Sequence, residues 1–233
     1  MSRELAWDGC VNVRDLGGLG QIRSGAVVRM EAPTTLSETG WASALAYGVR
    51  TVVDLRSPEE YEREPDLRPA AMTTVRTPLD PLGTPFYDHW LQVDYLASPL
   101  YYSPQLAEHP EPVIAAVRAI ATATPGCVVF HCAGGKDRTG LLALILLTLT
   151  AATPADIIAD YLLTFARMKT RPQDFGDRPQ LDVITELLAA HGTTIEASLT
   201  ATITTLSMPD FLLDNGLTEA ELTALRTRLT GTA

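Results

Sequence analysis

Positive charge is scarce in this chain. Its 233 residues hold 18 Lys and Arg against 28 Asp and Glu, for a net charge of −10 and a pI near 4.8. A general nucleic-acid binder needs a basic face, so that class is set aside, although a local basic pocket is not. Cysteine is scarce as well. Cys10, Cys127 and Cys132 are an odd number at irregular spacing, which makes no disulfide framework. No C-x-x-C pair points to zinc, and neither metal nor cofactor is expected. Reduced thiols fit a cytosol, so a cytoplasmic location is expected, with signal-independent export left open. Met1 to Gly9 lack a charged start followed by an apolar run, so no signal peptide is expected. Long apolar runs are missing too. The most apolar stretch, Leu141 to Thr153, is too short to span a bilayer and is interrupted by threonines. It reads as a buried helix, and no stable membrane insertion is expected. Repeats and low-complexity tracts are absent.

What is present is a core. Hydrophobic residues make up 46% of the chain and charged residues 20%, which argues against wholesale disorder. One domain over 1–233 is expected. The N-terminal Asn12-Val13-Arg14-Asp15-Leu16-Gly17-Gly18 reads as an irregular arm whose paired glycines mark a turn. Strands are expected at Ala26 to Met30, Val49 to Leu55, Met72 to Pro78 and Cys127 to His131. Ser37 caps a helix ending near Gly48, and Ser57-Pro58-Glu59-Glu60 is a good helix start. Pro81 to Pro112 shows a poor pattern but holds Phe86, Tyr87, Trp90, Tyr95, Tyr101 and Tyr102. Helices follow at Val113 to Ala123, Arg138 to Thr150 and Thr153 to about Lys169. A polar loop spans Arg171 to Pro179. Further helices cover Leu181 to Ala190, Thr194 to Leu206 and Thr218 to Leu229, the last with a Thr218/Glu221 capping box. The pattern is α/β, with a partly parallel central sheet flanked by helices and a helical C-terminal part.

One segment carries chemistry. His131-Cys132-Ala133-Gly134-Gly135-Lys136-Asp137-Arg138-Thr139-Gly140 lies between an apolar strand and an apolar helix. Phosphoryl transfer by cysteine needs a thiolate, and a helix N-terminus with a nearby cation lowers a thiol pKa. Cys132 precedes such an N-terminus. Successive N–H groups of Ala133, Gly134, Gly135, Lys136 and Asp137 can curl into a nest for phosphate oxygens, with the glycines free of a Cβ penalty. Arg138 offers a planar, permanent charge that grips two oxygens, where lysine would be a poor substitute. Thr139 can donate to the sulfur as it leaves, and His131 orients the loop. The bland alternative is a strand-to-helix turn with a core cysteine, but such a turn has no need of Lys-Asp-Arg.

This signature resembles that of the cysteine-dependent protein tyrosine phosphatase superfamily. The Lys-Asp-Arg variant looks like a bacterial group of atypical tyrosine and lipid phosphatases, the protein tyrosine phosphatase B kind. Asn12 to Gly18, Val53-Asp54-Leu55-Arg56-Ser57 with Glu60, Asp160-Tyr161-Leu162 and the tail from Phe211 to Leu229 fit the same group in order. The resemblance implies a nucleophile at Cys132, a phosphate clamp at Arg138 and a general acid on the loop after the third strand. The match for the acid is Asp80. The bland reading of Asp80 is a turn opener before Pro81. Asp137 is the rival acid, or else pairs with Arg56 or orients Arg138. Two departures stand out. The chain has Arg29-Met30-Glu31 where many members have Arg-Ser, and the lid segment of some relatives is not clearly matched.

Three functions compete. The first is a protein-tyrosine phosphatase acting on a phosphorylated protein. The second hydrolyses phosphoinositides or another polyol phosphate, with Lys136 gripping a second phosphate; its bland reading is a solvated or carboxylate-paired lysine. The third is a non-catalytic phosphate-binding module, against which Cys132, Arg138 and Thr139 all speak. A sulfurtransferase fits the Arg-Thr-Gly ending poorly. The aromatics from Phe86 to Tyr102 line a slot for a phenyl ring, or pack as core.

Overall fold

β-Branched residues suit a pleated surface, and the runs rich in them become the sheet. The computed structural model describes residues 3–62, 68–92, 97–169 and 178–232. Five strands appear there: β1 (Arg14–Asp15), β2 (Val27–Met30), β3 (Val49–Asp54), β4 (Thr73–Arg76) and β5 (Cys127–His131). Their order is β1-β2-β5-β3-β4. All neighbours are parallel except β1, which runs antiparallel to β2. This is the α/β architecture expected.

Alternation along the strands feeds two cores. Val27, Val53, Val128 and Phe130 face a large apolar cluster, whereas Val28, Val52, Cys127 and Val129 face a smaller one built on Trp7, Trp41 and Met72. The helices are α1 (Glu38–Ala46), α2 (Pro58–Tyr61), α3 (Pro85–Gln92), α4 (Tyr102–Glu108), α5 (Glu111–Ala121), α6 (Asp137–Leu149), α7 (Pro154–Met168), α8 (Gln180–Ala190), α9 (Ile195–Thr205), α10 (Met208–Asp214) and α11 (Glu219–Thr230). α6 is apolar on every side and lies inside the large cluster. No helix among the described residues is long and apolar enough to cross a membrane.

Caps formed where the residue types called for them. Ser37, Thr153, Thr194 and Thr218 each accept a backbone N–H at a helix start, and Ser57/Glu60 and Thr218/Glu221 form capping boxes. Three expectations need amending. β1 is a two-residue strand inside the arm read as irregular. The poor pattern of 81–112 contains α3 and α4. Thr84 starts α3, its Oγ1 accepting from Tyr87 N at 3.1 Å, but each helix has too few turns to show a period. α10 is a separate helix between α9 and α11. Tyr95 and most of the polar loop expected from Arg171 to Pro179 lie outside the described residues.

Candidate active site

Parallel register brings three strand ends together. Met30 and Asp54 both sit opposite His131, so the C-terminal ends of β2, β5 and β3 are level. Ligands in such sheets bind beyond those ends. Cys132 is the next residue along the central strand, buried under the loop that leads into α6.

The loop's carbonyls are all taken from outside it. Cys132 O meets His131 Nδ1 at 3.1 Å, and Ala133 O accepts from Ala32 N at 2.8 Å. Gly134 O accepts from Asn12 Nδ2 at 3.2 Å. Gly135 O accepts from Asn12 Nδ2 at 3.3 Å and from Arg29 Nη2 at 2.7 Å, and Arg29 also reaches Lys136 O at 3.4 Å. Asp137 O accepts from Tyr102 Oη at 2.8 Å. With the carbonyls so engaged, the N–H groups of the loop are left to meet an acceptor from outside the chain. α6 has no side-chain cap, so its first N–H groups and its dipole are available to an anion.

The two glycines do different work. Gly135 has φ +66°, and a Cβ there would lie 2.4 Å from Met30 O, so both conformation and space demand glycine. Gly134 has open space around it and no positive φ, so the expected need for glycine does not extend to it.

Arg138 is held by two carboxylates distant from it in sequence. Its Nη1 and Nη2 donate to Glu60 at 2.5 and 2.8 Å, and Nη1 lies 3.3 Å from Asp80 Oδ2. Burial disfavours its charge, but the Glu60 bonds, with Cys132 and Asp80 nearby, outweigh that and hold it protonated. Glu60 is the residue whose Oε2 also accepts from Ser57 N at 2.8 Å in the α2 capping box. The sequence showed that cap but not its second role.

Asp80 is fixed by its neighbour: Leu79 N donates to Leu55 O at 3.1 Å, and Gln105 Nε2 donates to Leu79 O at 2.6 Å. Burial pushes the Asp80 carboxyl up to about 6, with Arg138 opposing and Glu60 and Asp137 adding. Tyr87, half-buried on α3, is raised by burial and by Asp80. Phe86, Trp90 and Tyr101 pack on one another beside it, with ring centroids 5.4–5.9 Å apart.

The remaining residues are placed as follows. His131 is fully buried. Arg68 Nη2 lies 3.2 Å from its Nε2, which makes that nitrogen the acceptor and leaves Nδ1–H to donate to Cys132 O. Burial lowers His131 to about 4, so it is neutral near pH 7 and orients the loop. Arg56 pairs with Asp54 at 2.9 Å through both Nε and Nη2. Asp137 accepts from Tyr161 Oη at 3.1 Å and pairs with Lys136 at 3.2 Å, so the expected pairing with Arg56 gives way to these partners. Lys136 is buried, and its Nζ also donates to Ala97 O at 2.9 Å. Thr139 Oγ1 is buried without a hydrogen-bond partner. Cys127 is pushed by burial up to about 12 and is inert as a thiolate source near neutrality.

Sequence reasoning missed several of these partners. Glu31 is fully buried and accepts from Val11 N at 2.7 Å and Asn12 N at 3.0 Å. Asp160 takes Arg14 at 2.9 Å, Arg29 at 2.6 Å and also Arg3. Among the described residues no group of three or more His, Cys, Asp or Glu could hold a metal ion.

Comparison with known proteins gives concordant results. The model of a family described as the tyrosine phosphatase family matches residues 5–231. A tyrosine-protein phosphatase of Nostoc commune is 30% identical over 168 residues, covering 67% of this chain and 54% of its own length. The chain thus spans about half of that relative. A protein of Cupriavidus necator with a provisional tyrosine-protein phosphatase name is 30% identical over 225 residues, covering 85% of this chain and 78% of its own.

Proposed function

The chain belongs to the tyrosine phosphatase family, and on that premise we propose that it hydrolyses phosphomonoesters of tyrosine in proteins through a phosphocysteine at Cys132. The observation that carries this reading is one juxtaposition. A thiol just past the end of the central strand opens a loop whose carbonyls are all engaged elsewhere, with Arg138 held by Glu60 and 3.3 Å from Asp80.

In the first step the Cys132 thiolate attacks phosphorus and the P–O bond to the leaving group breaks. Asp80 gives its proton to the departing oxygen, a role suited to a carboxyl raised to about 6. Arg138 and the N–H groups of Ala133 to Asp137 hold the equatorial oxygens as their charge grows. In the second step water attacks phosphorus, Asp80 takes its proton and the P–S bond breaks. Thr139 Oγ1, buried and unpaired, is the donor at hand for the departing sulfur.

Two features favour phosphotyrosine over a phosphoinositide. The half-buried Tyr87 on α3 lies within the field of Asp80 and Arg138, so an aromatic ring is at hand to meet a phenyl ring. Lys136, the residue a second phosphate would need, is buried against Asp137 and Ala97 O. The test is kcat/KM on a phosphotyrosine peptide, a phosphothreonine peptide and a soluble phosphoinositide, with Cys132→Ser as the blank. The expected result is a phosphotyrosine preference above about tenfold, and no turnover by Cys132→Ser with phosphate binding kept. A phosphoinositide preference would overturn the substrate reading, and appreciable Cys132→Ser activity would remove the nucleophile assignment. Turnover of none of the three would make the chain a phosphate-binding module.

A further inference from the structure

Two stretches of sequence that fit the family have no part in the chemistry above: Asn12 to Gly18 and Asp160 to Leu162. The structure joins them. Asp160, buried in the second turn of α7, is the shared anion for Arg14 and Arg29. Arg14 Nη1 in turn donates to Asn12 Oδ1 at 2.5 Å, which fixes the amide with its Nδ2 toward the loop. Glu31 ties down the other end by accepting from Asn12 N at 3.0 Å. Glu31 belongs to the Arg29-Met30-Glu31 stretch that departs from the family's usual Arg-Ser, and here it anchors the arm.

From this arrangement we infer that Asn12 is a positioning residue for oxyanion binding: its Nδ2 holds the Gly134 and Gly135 carbonyls outward and so aims the following N–H groups into the cradle. A peptide plane is rigid, so turning a carbonyl out turns the next N–H in. The two bonds to the loop, at 3.2 and 3.3 Å, are made 122 and 123 residues away in sequence. Arg29, at 2.7 Å from Gly135 O, braces the same plane. Without Asn12, the Gly134 carbonyl loses its partner and the Gly135 carbonyl one of two, so the first can swing toward the bound anion, where its partial negative charge repels it. The inference rests on the cradle binding an oxyanion, not on turnover.

The decisive variant is Asn12→Asp. It is isosteric and keeps an oxygen for Arg14, but puts an acceptor against two acceptors. The probe is orthovanadate, titrated by calorimetry. A second readout is the pH dependence of Cys132 alkylation by iodoacetate. Expected for Asn12→Asp is a rise in vanadate Kd of about tenfold or more, with the alkylation profile moved to higher pH. Val13→Ala is the control, since Val13 is buried in the same arm and its apolar side chain packs in the smaller cluster and has no donor for the loop carbonyls. It is expected to lower the melting temperature and leave vanadate Kd unchanged. If Asn12→Asp does not fold, Glu31→Gln carries the same test with a smaller loss of about threefold. Wild-type vanadate affinity in folded Asn12→Asp would overturn the inference, as would an equal loss in Val13→Ala. An enzyme that binds vanadate but turns over no ester would leave the inference standing while the phosphatase reading falls.

Discussion

Replacing Asp80 by asparagine separates catalysis from stability, and the two effects have opposite signs. The wild-type carboxyl sits at about 6 instead of its ordinary 3.8 because burial disfavours its charge more than Arg138 favours it. The folded pKa is raised. The associated stability is therefore fully present below about 3.8 and is lost as pH rises through about 6. That difference corresponds to about 3 kcal/mol at most above neutrality. Asparagine carries no charge to bury, so Asp80→Asn is expected to be more stable than wild type at pH 7.5, by up to this amount, with the gain gone near pH 4. Urea unfolding at the two pH values measures it. Activity moves the other way. Wild-type kcat/KM divided by that of Asp80→Asn cancels the ionisation of substrate and thiol and leaves the acid alone. For a peptidyl phosphotyrosine this ratio is expected to be about 10²–10⁴ at pH 5 and to fall about tenfold per pH unit above 6. For an aryl ester with a good leaving group it is expected to be small throughout. A flat ratio below about tenfold would remove Asp80 as the acid and return Asp137 to contention. A variant less stable than wild type at pH 7.5 would show that the Arg138 pairing, and not burial, dominates at this carboxyl.

Two further perturbations follow from the loop. Gly135→Ala meets Met30 O at 2.4 Å and a φ of +66°, so a loss of about 1–3 kcal/mol and most of the activity is expected. Gly134→Ala, in open space, is expected to melt and turn over much as wild type. Equal damage from both would contradict the steric assignment. Glu60→Gln keeps one acceptor for Arg138 and for Ser57 N but loses the charge. A fall in kcat/KM of about 10–100-fold is expected, with about 1–2 kcal/mol of stability lost from the cap. Vanadate affinity that stays at the wild-type value would show that Glu60 serves α2 alone.

The sheet and most helices were legible because their signals are local. β-Branched runs, Ser and Thr caps and the strand–loop–helix punctuation around Cys132 are all read within ten residues of one another. α3 and α4 were not, although Thr84-Pro85 is a start signal, because each is short and crowded with aromatics that do not alternate. The site divides along the same line. Cys132, Arg138 and the loop lie in one stretch, whereas what positions them comes from afar. Glu60 reaches Arg138 across 78 residues and Arg29 reaches Asp160 across 131. A carboxylate buried for a distant arginine looks in sequence like any other acidic residue. Lys136 shows the converse: its place in the loop suggested a ligand contact, and only the fold reveals Asp137 and Ala97 O around its ammonium.

The buried carboxylate of Asp160 has a consequence in time. Arg14 and Arg29 emerge early in translation, Cys132 much later and Asp160 later still. Until α7 is made and docked, the two arginines lack the anion that lets them enter the interior, and the braces on the Gly134 to Lys136 carbonyls have nothing to stand on. Domains generally assemble as units, and here the last charge to arrive comes after Cys132. Under the proposed function, the growing chain carries Cys132 before its loop is braced, and activity is expected only once the fold has closed around both ends of the arm.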